Sequence, residues 1–132
     1  MPSSVRPAPP SFPRVVIVDA DRRVQQSLAD LLGVTGDVDV VGRAGDVRSA
    51  LEAVERERPD VVLVDPRLPD VEAGMALIVG MTRAWPGVRV VLTGWGDTTG
   101  SGIGPGAGIR YVSKGSSPEA FAAAIVDACH AP

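Results

Sequence analysis

VVLVDPRLPD, Val61 to Asp70, is the stretch on which the fold turns. Four apolar residues, three of them β-branched, run without polar alternation into Asp65, and Pro66 and Pro69 supply turn chemistry directly behind it. A short apolar run of this kind predicts a strand buried on both faces, as in a parallel sheet. Such a strand delivers its last residue to the carboxyl edge of the sheet, where open α/β folds keep their sites. Asp65 is therefore expected as a carboxylate at a sheet edge. An aspartate there would equally suit a plain turn or a helix cap, and this stretch alone does not separate the two readings.

Working outward, Val15 to Val18 (VVIV) is a second buried-strand run that also ends on an acid, Asp19. After Asp19-Ala20-Asp21 the period becomes helical, with Val24, Leu28, Leu31 and Leu32 on one face, Asp21 as N-cap, and Gly33 and Gly36 as stops. Val38 to Val41 reads as a short strand. Asp46 then caps a helix with Val47, Ala50, Leu51 and Val54 inward, running to Arg58 and ended by Pro59. Beyond Asp65, Gly74 to Arg83 predicts a helix with Leu77, Ile78 and Met81 inward, and Trp85-Pro86-Gly87 a turn. Val88 to Leu92 is a strand running onto Thr93-Gly94, and Ile109 to Ser113 a strand ending on Lys114. Ser117 and Pro118 open a last helix with Phe121, Ala124, Ile125 and Ala128 inward.

Strands and helices alternate, so the class is α/β with a parallel sheet and right-handed crossovers. One slot breaks the rhythm: Gly94 to Gly108 holds seven of the 15 glycines. At about 1 kcal/mol per glycine and about 3 for an interior proline, a helix there is strongly disfavoured. It reads as a helix slot reduced to a Gly-rich loop. Residues 1–14 carry five prolines and no periodicity, which predicts an extended tail ahead of one domain over 15–130.

Bulk composition narrows the function classes. A chain of 132 residues, 45% hydrophobic and 22% charged, suits one globular core. A net charge of -3 and a pI near 5.0 advertise neither nucleic acid nor an anionic membrane as a direct partner. No membrane-length apolar run and no signal-type N-terminus is read in the sequence, and a lone Cys129 fits a reducing cytoplasm. Cys129 beside the single His130 makes no zinc motif.

The chemistry lies in four strand ends. Asp19, Asp65, Thr93 and Lys114 each follow or close a strand, and a parallel sheet brings all such ends to one edge. An acid pair can hold a hard cation through oxygen. A hydroxyl and an ammonium can stabilise the oxygens of a transferring phosphoryl group. A carboxylate can itself be the nucleophile.

With DVDVVGRAGDVRSALE, RPDVVLVDPRLPD and a lysine followed by a Ser-Pro-Glu helix start, the sequence resembles the response-regulator receiver domain of two-component signalling. Its details look most like receivers of NarL/LuxR-type regulators, and the resemblance covers about Val15 to Ala128. It implies a flavodoxin-like, CheY-like three-layer sandwich with a five-stranded parallel sheet of order 2-1-3-4-5. It makes Asp65 the phosphoacceptor, with Asp19, Asp65 and the backbone carbonyl of Arg67 around Mg²⁺. Thr93 and Lys114 contact the phosphoryl group, the Gly94 N–H follows Thr93, and Thr93 and Tyr111 form the switch. The implied partner is a histidine kinase or another signalling protein, and the resemblance also allows a homodimer. Turnover chemistry is not implied beyond self-phosphorylation and dephosphorylation at Asp65.

Three departures qualify the resemblance. The family's usual second acid after the first strand is Ala20 here, which should weaken Mg²⁺ binding. Asp21 stands one residue late and is explained as a helix cap. The loop between Asp65 and Gly74 is one residue longer than usual, and the Gly-rich stretch replaces a helix on the family's output face. These observations describe a stand-alone, atypical receiver acting through protein contacts. The alternative is the receiver portion of a NarL/LuxR-type DNA-binding transcription regulator whose helix-turn-helix domain is absent from this chain.

Overall fold

The computed structural model describes residues 12–95 and 109–130. Its elements run β1 (Arg14–Val18), α1 (Arg22–Thr35), β2 (Asp39–Ala44), α2 (Val47–Glu57), β3 (Val61–Val64), α3 (Val71–Ala84), β4 (Arg89–Gly94), β5 (Arg110–Ser113) and α4 (Pro118–Cys129). All strand pairs are parallel and the order is β2-β1-β3-β4-β5. This is the CheY-like α/β fold, with four helices among the described residues. The expected Gly-rich loop in place of a helix falls on 96–108, and most of the expected tail on 1–11; both lie outside the described residues.

The central strands are buried because they have two faces to fill. Val15 to Val18 and Val61 to Val64 are wholly inaccessible. Alternate residues point to opposite sides, the period-2 geometry of a strand. Val16, Val18, Val62 and Val64 meet Ala50, Ala53 and Val54 of α2 and Leu77, Ile78 and Met81 of α3. Val15, Ile17, Val61 and Leu63 meet Leu28 and Leu32 of α1 and Phe121 and Ile125 of α4. Each fully buried aliphatic side chain is worth about 1.5–3 kcal/mol, so these two strands anchor the sheet and hold their exit points still.

Short side-chain caps start the helices, those of α1, α2 and α4 where the sequence places them. Asp21 Oδ1 accepts from the Arg23 N–H (2.8 Å), Asp46 Oδ1 from Ser49 (2.7 Å), Asp70 Oδ1 from Ala73 (2.8 Å) and Ser117 Oγ from Ala120 (3.1 Å). Several boundaries differ from the sequence reading. Gly33 lies inside α1, and only Gly36, at φ 70°, ends it. α3 begins at Val71 because Asp70 is its cap, ahead of the expected Gly74. In α2, Ala53 is buried and Leu51 is 37% exposed. The helix is rotated so that Ala53, next to Gly42 of β2, faces the sheet and Leu51 lies at the edge of the buried stripe. β1 starts at Arg14, and β2 runs on to Ala44 through a register shift opposite Val15/Val16.

One glycine positions the Asp65 loop. A Cβ on Gly74 would fall inside the carbonyl group of Pro66, so α3 approaches this loop only because position 74 has no side chain. Gly80, also in α3, has open space where its Cβ would stand. Gly74→Ala should cost about 1–3 kcal/mol or more by overpacking. Gly80→Ala should gain up to about 1 kcal/mol in helix propensity. Urea unfolding of the two variants checks the contrast; equal effects would contradict it.

Candidate functional site

The sheet brings the four predicted residues together at its carboxyl edge. Asp19 follows β1, Asp65 follows β3, Thr93 is the penultimate residue of β4, and Lys114 follows β5. Each exit is tied to a neighbouring strand: Asp19 N–H donates to the Ala44 carbonyl (3.0 Å), Asp65 N–H to Val18 (3.0 Å) and Lys114 N–H to Gly94 (2.8 Å). Gln25, buried on α1, adds a brace by donating from Nε2 to the carbonyls of Asp19 (2.7 Å) and Ala44 (3.2 Å). A glutamine on a polar-looking helix position gave no sequence signal for this role.

Lys114 closes the site. Its Nζ donates to Asp65 Oδ2 at 2.7 Å and lies 2.5 Å from Asp19 Oδ2. The second contact is misaligned for a hydrogen bond, which leaves Asp19 Oδ2 with an ion pair but no hydrogen-bond partner. The other carboxylate oxygens accept backbone N–H groups, Asp19 Oδ1 from Asp21 (2.9 Å) and Asp65 Oδ1 from Arg67 (3.0 Å). The three charged side chains are 4% (Lys114), 5% (Asp19) and 13% (Asp65) exposed. Above the ammonium stands Trp95, its ring centroid 5.4 Å from Nζ, a cation–π distance. The sequence shows Trp95 but not what it covers.

Thr93 is 1% exposed and its Oγ1 has no hydrogen-bond partner. Buried hydroxyls are normally satisfied, which makes this one an exception. Tyr111 is half-buried on β5 against the core, and a Cβ on Gly94 would stand 3.1 Å from its hydroxyl. Its ring thus borders the strand end that carries Thr93. Arg67 enters through its N–H to Asp65, and its side chain is exposed. Ala20 is exposed, while Asp21 has its carboxylate on the α1 cap and offers only its amide to Asp19. A separate cleft of about 620 Å³ lies at the amino edge, lined by Phe12, Asp60, Arg89, Cys129 and His130 among others. It shares no residue with the four-residue cluster.

Burial alone would push the Lys114 ammonium towards neutrality, but the carboxylates of Asp19 and Asp65 close against it outweigh that and hold its pKa above the ordinary value. The Cys129 thiol is pushed up chiefly by burial and then by Asp60, which disfavours its thiolate.

The chain belongs to the response regulator receiver domain family, whose model matches residues 15–126. It is thus a receiver domain of two-component signalling, a family that partners with histidine kinases, typically binds Mg²⁺, and is non-catalytic apart from phospho-aspartate chemistry. Among curated relatives, it is 40% identical over 79 residues to the DNA-binding transcriptional activator DevR/DosR of Mycobacterium tuberculosis, covering 60% of this chain and 36% of that protein. It is 32% identical over 105 residues to a protein-glutamate methylesterase/protein-glutamine glutaminase of Xanthomonas oryzae, covering 76% and 29%. The chain therefore spans about a third of the length of these relatives. Of solved structures, the signal receiver domain of NarL from Mycobacterium tuberculosis superposes with a TM-score of 0.74 at 26% identity, over 92% of this chain and 99% of that one. A LuxR-family response regulator from Aurantimonas gives 0.78 at 23%, over 91% and 86%, which bears on the fold alone. No helix among the described residues is long and apolar enough to cross a membrane.

The raised Lys114 pKa sets an alkaline limit. The unfolded chain releases this proton near the ordinary 10.5, whereas the folded chain keeps it longer. Stability from the ammonium is complete below that value and is lost as pH climbs through the folded pKa. Denaturant titrations above about pH 10 should show a steeper loss for the wild type than for Lys114→Met. Parallel curves would contradict the bridge.

Proposed function

We propose that this receiver is an atypical phosphoacceptor switch, with Asp65 as the residue that takes the phosphoryl group and with output through protein–protein contacts. The observation that carries the reading is the orphaned, buried hydroxyl of Thr93 on the strand next to Asp65, at the same edge as the Lys114 ammonium. A carboxylate nucleophile, a hydroxyl donor and an ammonium at one sheet edge form the donor set that phosphoryl transfer needs.

The residues would work as follows. The Asp65 carboxylate attacks phosphorus on the donor, a phosphohistidine of a kinase or a small acyl phosphate, and the bond to the leaving group breaks. The Arg67 N–H keeps the carboxylate oriented. Lys114 turns from the acid pair to a phosphoryl oxygen, and Thr93 Oγ1 donates to another. Drawing Thr93 towards the phosphoryl group would shift the strand end at Gly94 that the Tyr111 ring borders, and so alter the surface of β5. Among the described residues two carboxylates converge where the family pattern has three, a donor set short of what a divalent cation takes.

A second reading is favoured by the similarity to DevR/DosR, a DNA-binding transcriptional activator. In it the receiver governs a DNA-binding unit and Asp65 chemistry is unchanged. The net charge of -3 does not itself favour nucleic acid as a direct partner.

Incubation with acetyl phosphate, read by intact mass, should add one phosphoryl group to the wild type and none to Asp65→Asn. Thr93→Ala should slow labelling by about tenfold or more, the scale of a lost oxyanion donor. A folded wild type that takes neither the phosphoryl group nor beryllofluoride would contradict the reading.

A further inference from the structure

The acid pair already holds a cation. Asp19 Oδ2 and Asp65 Oδ2 face the same Lys114 ammonium, and the other oxygen of each carboxylate accepts a backbone N–H. Three of the four carboxylate oxygens accept a hydrogen bond, and the fourth, Asp19 Oδ2, has only its ion pair with the ammonium. A hard divalent cation needs about six oxygen ligands and gives up its water reluctantly. Among the described residues no group of three or more His, Cys, Asp or Glu is placed to hold one. Ala20 supplies no oxygen from its side chain, and the Asp21 carboxylate caps α1.

Charge decides the matter further. Among the described residues, two carboxylates and one ammonium leave the cluster with a single negative charge, which a divalent cation would overshoot. A third carboxylate at position 20 would restore the balance. The Trp95 ring lies over the ammonium, and the Lys114 side chain is 4% exposed. A metal would have to lift a desolvated cation off two carboxylates and out from under an aromatic ring.

We infer that Lys114 is the resident cation of this site: clasped by Asp19 and Asp65 and roofed by Trp95, it takes the place of a divalent metal and excludes it. The inference deepens the proposed reading of the same site, but its test needs no phosphorylation, so either can fail alone. It assigns Trp95 a positioning role, holding the ammonium down on the acid pair.

The test is a Mg²⁺ titration of the full chain, followed by the amide signals of Asp19 and Asp65 and the indole N–H of Trp95 in nuclear magnetic resonance spectra. Wild type, Ala20→Asp and Lys114→Met are compared up to about 10 mM Mg²⁺. Ala20→Asp, a change at an exposed position, should bind at least about tenfold more tightly than the wild type, the added charge and ligand acting together. Lys114→Met should also gain Mg²⁺-dependent shifts, because the internal cation is gone. A ratio below tenfold for Ala20→Asp would overturn the inference. If Lys114→Met folds, a response no greater than the wild type's would overturn the ammonium's part in it. If it does not fold, Trp95→Ala takes its place; it should respond more than the wild type, and no gain would count against the inference.

Discussion

A single ammonium group holds three distant segments of this chain at one point. Lys114 reaches from the end of β5 to Asp19 at the end of β1 and Asp65 at the end of β3. The sequence contains one lysine against twelve arginines, and that lysine stands here. The distinction matters physically, because an ammonium is a compact point charge able to sit between two carboxylates, whereas a planar guanidinium would demand paired in-plane acceptors. Removing one partner of a deeply buried pair costs about 3–5 kcal/mol, and beneath one ring at a sheet edge the lower end of that range applies. The bridge contributes less to net stability than to arrangement. It keeps two like charges close together and keeps the Asp65 carboxylate oriented.

The bridge depends in turn on the sheet. Parallel strands put every carboxyl end on one edge, and the wholly buried runs Val15 to Val18 and Val61 to Val64 fix where Asp19 and Asp65 leave it. Hydrogen bonds from Asp19 to Ala44 and from Asp65 to Val18 lock those exits between strands. On the α3 side, the missing side chain of Gly74 lets the Pro66 carbonyl lie against the helix. The site is therefore held firmly from beneath, with Trp95 over the ammonium and the Tyr111 hydroxyl beside Gly94.

Most of this was legible in the residues. Unbroken β-branched runs mark buried parallel strands, and the polar residue closing each run marks the edge, so Asp19, Asp65, Thr93 and Lys114 could be grouped before any coordinates. The N-caps Asp21, Asp46 and Ser117 were readable for a local reason, since their partners lie within three residues. What could not be read depends on contacts across the fold. Gln25 looks like a surface residue until the Asp19 and Ala44 carbonyls appear beside it. Leu51 fits the apolar period of α2, but the helix is rotated so that Ala53 faces β2. The place of Trp95 over Lys114 depends on how β4 and β5 end side by side, which no local pattern encodes.

Because the chain has one lysine, the central claim can be tested at a single nitrogen. In a ¹H–¹⁵N spectrum of lysine side chains at neutral pH, a free ammonium exchanges its protons with water too fast to be seen. The buried Lys114 group, held by two carboxylates, should give one resolved signal in the wild type that disappears when Asp19 and Asp65 are both replaced by asparagine. Absence of that signal from the folded wild type, or its survival in the double variant, would contradict the bridge on which this account of the site rests.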